Sequence, residues 1–121
     1  MKVKVTFGDL ILYGDFFDTP CAQAIYKILP IEAEVAFWGD EIYFPIDLYW
    51  PLDHTATNKV RVGDIGYWPP GRALAIFFGP TPLSTGEEPV PASEVNLVGR
   101  LEGAQALKGQ RGQKRIRIEP A

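Results

Sequence analysis

Glycine and proline interrupt this chain so often that no long element can form: 12 Gly and 11 Pro stand among 121 residues. Between the interruptions, apolar and polar residues alternate with the two-residue period of a half-buried strand. In segment 2–7, Val3, Val5 and Phe7 fall on one face and Lys2, Lys4 and Thr6 on the other. Gly8-Asp9 predicts a tight turn, and segment 10–17 returns as the second strand of a hairpin. The pattern repeats at 31–38, with Ile31, Ala33, Val35 and Phe37 inward, then at Gly39-Asp40 and at 41–46. Pro45 confines the end of that strand to an edge or a bulge. Segment 47–58 has no usable period and reads as a loop. Short strands are predicted at 59–62 and 65–68. Pro69-Pro70-Gly71 then turns into 73–79, the most hydrophobic strand and the expected centre of the sheet. Segment 80–94 carries four prolines, and its length marks a surface or functional loop. Strand 95–102, a helical turn near 104–107 and strand 114–119, with Ile116 and Ile118 inward, complete the chain.

One segment departs from this rhythm. Thr19 is placed to cap a helix, and Pro20 occupies the first helical position, where a missing N–H costs nothing. Ala22, Ile25, Tyr26 and Leu29 recur at helical spacing, and Pro30 ends the run. About eight or nine short strands with one main helix near 20–29 leave no βαβ rhythm. The expectation is a mainly β, closed antiparallel barrel with the helix plugging one end, formed by a single domain over 1–121.

Composition narrows the function classes. Hydrophobic residues make up 46% and charged residues 22%, a globular balance rather than a disordered one. A single cysteine, Cys21, excludes an intrachain disulfide framework and a cysteine zinc site. A single histidine, His54, excludes a site built on two imidazoles. No uncharged apolar run reaches membrane-spanning length, and the N-terminus opens directly as a strand without a signal-peptide pattern. The expectation is therefore a cytoplasmic protein with no membrane partner, no metal and no cofactor. The net charge of −3 is unevenly spread, with six basic and two acidic side chains in 100–121. No aromatic residue interleaves Lys108, Arg111, Lys114, Arg115 and Arg117, so this end reads as a solubilised loop and edge strand rather than a nucleic-acid surface.

The order of the segments resembles the cyclophilin fold. DTPCAQAIY at 18–26 is similar to the opening of the first cyclophilin helix, ALAIFFG at 73–79 to the strand with paired phenylalanines, LVGRLEGAQAL at 97–107 to a later glycine-containing segment, and KRIRIEP at 114–120 to the final strand. The block GDIGYWPPGRALAIFFGPTP at 63–82 resembles a prokaryotic family of small, functionally uncharacterised cyclophilin-like proteins. The resemblance implies a cyclophilin-type barrel. It also implies a ligand groove to which Phe78 contributes the pocket phenylalanine, Tyr43 and Phe44 further apolar walls, and Tyr67 and Trp68 the groove segment.

The isomerases of that fold place an arginine on the strand corresponding to 31–38, where this chain has none. A glutamine belongs near 41–46, and a tryptophan and a histidine in 80–98; all three are missing there. That arginine donates to the prolyl nitrogen only as the amide twists, which makes it the catalytic term. The reading is thus a binding domain that holds a small molecule or extended peptide in an aromatic groove without efficient isomerase chemistry. The alternative is a peptidyl-prolyl isomerase with a displaced donor, for which Arg72 is the candidate. The same aromatics also read as ordinary core, and those around Tyr49-Trp50 as a self-association patch, leaving monomer or homodimer open. The neighbouring Asp53 and His54 read as surface residues, Cys21 as a small apolar filler, and Asp40, Glu41, Asp47 and Asp53 as a solvated acidic face.

Overall fold

The alternating segments curl into a ring in the computed structural model, which describes residues 1–121. β1 (Lys2–Phe7) and β2 (Leu10–Phe16) form the expected antiparallel hairpin. Gly8 turns it with a φ of 61°, a left-handed conformation that costs glycine nothing. The other edge of β1 pairs with β10 (Arg115–Pro120), which pairs in turn with β3 (Ile31–Glu34). On the far side β2 pairs with β9 (Val95–Leu101). Beyond β9 follow β7 (Asp64–Trp68), β8 (Ala73–Phe77), β5 (Glu41–Pro45) and β4 (Ala36–Phe37), all antiparallel. The short β6 (Ala56–Thr57) pairs with β9 off this path.

The two ends of the path, β3 and β4, are consecutive in the chain. The strand expected at 31–38 is split at Val35, whose N–H donates to the Lys114 carbonyl at 2.7 Å. Its first half belongs to β10 and its second to β5. One continuous segment thus straps both edges of the sheet together, and the result is a nearly closed antiparallel barrel. Closure leaves few free edges for another chain to pair with.

The strand expected at 59–62 does not form. Asp64 folds its carboxylate back to accept from the Arg61 N–H at 2.8 Å, while the Asp64 N–H donates to the Arg61 carbonyl at 3.0 Å. This local bond competes with a ladder and makes a turn. Val60 is still buried, as the alternation required.

α1 (Pro20–Lys27) begins as expected: the Thr19 hydroxyl accepts from the Ala22 N–H at 3.3 Å and Pro20 opens the first turn. The helix gives out at Ile28, slightly before Pro30. It packs on β2 and β9 and buries Cys21, Ala22 and Ile25 in the barrel core beside Val3, Val5, Phe7 and Ile118. Each large apolar side chain removed from water there contributes roughly 1.5–3 kcal/mol before entropic costs.

Four of the six basic side chains in 100–121 are paired within the molecule. Arg100 pairs with the buried Asp64, Lys108 and Arg111 with Asp40, and Arg117 with Glu32 and Glu119. No helix is long and apolar enough to cross a membrane.

A second, smaller apolar cluster lies apart from the barrel core. It joins Val60, Ala75, Phe77 and Val95, with Tyr43, Trp68 and Leu97 packed around them. All five residues of β8 are buried, because one set of side chains enters the barrel core and the other enters this second cluster. A strand covered on both faces reads as an unbroken apolar run, which is how ALAIF appears in the sequence.

Candidate functional site

The second cluster surrounds a cavity, and strand register explains its shape. On β5, Ile42 and Phe44 join the barrel core, so Glu41 and Tyr43 take the opposite face. Across the ladder Glu41 stands opposite Phe77, and Tyr43 opposite Ala75. Ala75 in turn faces Gly66 on β7. The small Ala75 side chain leaves a hollow bordered by the larger side chains of Tyr43, Trp68 and Phe77, while Val95 fills the space over Gly66. Trp38, from the turn before β5, adds another aromatic wall. Val95, Pro91 and Ala92 complete a cavity of about 120 Å³.

Loop 80–94 is built to serve as one wall. The Trp68 indole Nε1–H donates to the Ser93 hydroxyl at 2.7 Å, joining loop to groove. The Thr81 hydroxyl donates to the Val90 carbonyl at 2.5 Å, and the Ser84 hydroxyl to the Glu88 carbonyl at 2.7 Å. Gly71 lets the Trp68 ring lie against the turn that follows it, since a Cβ there would stand 2.8 Å from the ring. A larger, open concavity of about 890 Å³ adjoins the first and shares Pro91 and Ala92 with it. Its lining includes Pro69, Pro70, and the exposed Tyr49, Leu52 and Leu83. Loop 80–94 borders both hollows, and the Pro69–Gly71 turn borders the larger one.

Glu41 is the chemically unusual residue. It is only 8% exposed, and its Oε1 has no hydrogen-bond partner. Burial pushes its carboxyl up to about 7 from an ordinary 4.5, because a charge removed from water without a partner is costly. The sequence reading placed it on a solvated acidic face, where the structure does not. Its parity with Tyr43 in β5 was the available signal, since a residue two positions from a half-buried aromatic shares its side of the sheet.

The aromatic set implied by the sequence divides between two faces. Tyr43 and Trp68 line the small cavity. Phe44, Tyr67 and Phe78 are fully buried in the barrel core. Phe78 meets Phe37 edge-on at 6.4 Å and lies under the Arg111 guanidinium at 6.0 Å. Tyr67 donates its hydroxyl to the Leu48 carbonyl at 2.6 Å and accepts from the Trp50 N–H at 3.2 Å, which fixes loop 47–58 from below. Of the paired phenylalanines, Phe77 reaches the cavity, because alternation along β8 sends Phe78 inward. Arg72 is exposed, caps the 3₁₀ turn at Pro69–Gly71 in a left-handed conformation (φ 48°), and sets its guanidinium over the Tyr49 ring at 5.3 Å. That position is at the side of the larger concavity, and no arginine lines the smaller one.

The remaining candidates fall outside this site. The Asp53 carboxylate accepts from the Thr55 N–H at 2.8 Å and from its hydroxyl at 2.6 Å, a local turn rather than a brace for His54. Cys21 is buried, and desolvation raises its thiol to about 11, which leaves it an inert filler. Asp40, beside Glu41, is taken up by Arg111 and Lys108.

Comparison with known proteins agrees with this architecture. Residues 1–119 match the family described as cyclophilin-like. The solution structure of a hypothetical protein from Archaeoglobus fulgidus is similar at 33% identity and a TM-score of 0.82, covering 100% of this chain and 95% of that one. None of the curated proteins matches the chain.

Proposed function

The chain belongs to the cyclophilin-like family, and from that premise we propose that it is a ligand-binding barrel without efficient peptidyl-prolyl isomerase activity. Its ligand, a small molecule or an extended peptide, seats a compact group between Tyr43, Trp68, Trp38 and Phe77 and runs its remainder along the open concavity. The observation that carries this reading is the small aromatic hollow that opens beside a broad, largely apolar trough. An apolar cleft with few convergent polar groups is the usual form of a ligand site. Phe44, Tyr67 and Phe78 support the strands from the core side, and Arg72 acts at the trough's edge.

Isomerisation needs a charged donor at the prolyl nitrogen in a desolvated setting, and such a donor is typically worth ~3 kcal/mol of barrier. The small cavity offers a carboxyl instead, the wrong sign of group for that task. A screen of small amines, amides and proline-containing dipeptides by protein NMR tests the proposal. Ligands are expected to move the indole signals of Trp38 and Trp68 and leave that of Trp50 in place. They should lose that effect in Trp68→Ala. A screen in which every hit maps away from these two indoles would overturn it.

A further inference from the structure

We propose that the small cavity is a receptor for a protonated amine, which donates an N–H to the Glu41 carboxylate while the aromatic walls enclose its charge. This rests on the ligand-binding reading of the same cavity and adds the chemical class of the ligand.

Three observations converge. Glu41 is more than nine-tenths buried, lines the cavity, and has an oxygen with no partner inside the protein. Buried polar groups in native proteins are nearly always satisfied, so a carboxyl group that lines a cavity and makes no hydrogen bond inside the protein marks a place for an external donor. The aromatic side chains around it are Trp38, Tyr43, Trp68 and Phe77, and the face of an aromatic ring attracts cations through its quadrupole. Finally, no lysine or arginine lines the space, so nothing inside neutralises the carboxylate. Lys108 and Arg111, which reach the neighbouring residue Asp40, are paired with its carboxylate.

These features select among ligands. An anion would meet an unpaired carboxylate and no donor. A neutral hydroxyl or amide would satisfy Oε1 but gain little from the rings. An alkylammonium satisfies the acceptor, supplies the missing counter-charge and presents its stem to the apolar trough. About 120 Å³ suits a compact ammonium head.

The site is also pH-dependent in a definite direction. Burial holds the Glu41 carboxyl at about 7, so near-neutral solution contains both its forms, and only the carboxylate pairs with an ammonium. The strands and loop packed against it present Trp68, Ala75, Phe77, Val95, Pro91 and Ala92, and its own segment adds Trp38 and Tyr43. Tyr43 is the one other titratable group among them. Capture of an amine therefore releases a proton below neutrality, and affinity rises as pH rises through about 7.

The test follows the indole signals of Trp38, Trp68 and Trp50 by NMR during titration with n-butylammonium chloride and, in parallel, n-butanol at matched ionic strength. The expected result is saturable movement of Trp38 and Trp68 but not Trp50, with n-butylammonium favoured about tenfold or more. That preference should vanish in Glu41→Gln, which keeps the shape and removes the charge. The affinity for the amine should fall about tenfold between about pH 8 and about pH 6 in the parent and stay flat in the variant. Equal binding of amine and alcohol, or a preference unchanged in Glu41→Gln, overturns the amine assignment while leaving the ligand site in place. Failure of both probes to move either indole overturns the amine assignment and counts against the ligand site itself.

Discussion

Glu41 concentrates the consequences that can be traced to a single side chain. Its folded-state carboxyl stands at about 7 against 4.5 in an unfolded chain. Between those values the folded protein holds a proton that the unfolded chain has released, so the contribution of this group to stability is fully present below about 4.5 and declines as pH rises through that window. The loss above neutrality is roughly 3 kcal/mol. Glu41→Gln removes the titration, so urea unfolding should find the variant more stable than the parent above neutrality and similar to it near pH 4.5. A parent that is the more stable of the two in alkali would mean that the carboxylate has a partner. Phe78 makes the contrasting case, a fully buried ring in the barrel core. Phe78→Ala should cost about 3–5 kcal/mol in the same experiment, without altering ligand preference in the protein that remains folded. Strand parity was legible in the sequence, but which parity faces the barrel was not. An unbroken apolar run such as 73–79 carries no polar residue to mark a side; the cyclophilin resemblance implies Phe78 for the groove, and the cavity beside β8 is lined by Phe77.

Elements show the same division between what a local pattern encodes and what packing decides. The β1–β2 hairpin and the Thr19-Pro20 start of α1 follow from local chemistry alone, and both formed as expected. Segment 31–38 has the alternation of one strand, and only the closed sheet shows that it serves two partners on either side of Val35. At 59–62 the period of two was present, but the Asp64 carboxylate captured the Arg61 N–H and a turn prevailed. Loop 80–94 was legible as a long proline-rich wall, whereas its tie to Trp68 through Ser93 joins residues 25 positions apart. Trp68→Phe keeps the ring and deletes that bond. We expect a loss of about 1 kcal/mol in stability and faster amide exchange or proteolysis confined to 80–94. Unchanged protection across the loop would show that its internal bonds through Thr81 and Ser84 suffice.

The whole molecule is a barrel whose two faces at β5, β7 and β8 carry different work. The inner face supplies the large core and most of the stability. The opposite face, roofed by loop 80–94, supplies the small aromatic cavity, and the register that pairs Tyr43 with Ala75 and Glu41 with Phe77 makes the two inseparable. Under the binding reading proposed above, the protein uses a cyclophilin-like scaffold to hold a ligand, and the cavity on this face carries a buried carboxyl and no cationic donor. The most direct measurement of that claim is NMR exchange between the cis and trans forms of a model X-Pro peptide, with the parent, Arg72→Ala and Trp68→Ala each added in turn. Interconversion close to the uncatalysed relaxation of ~10–100 s at 25 °C is expected in all three. Strong acceleration by the parent, lost in Arg72→Ala, would contradict it and assign the donor's role to Arg72.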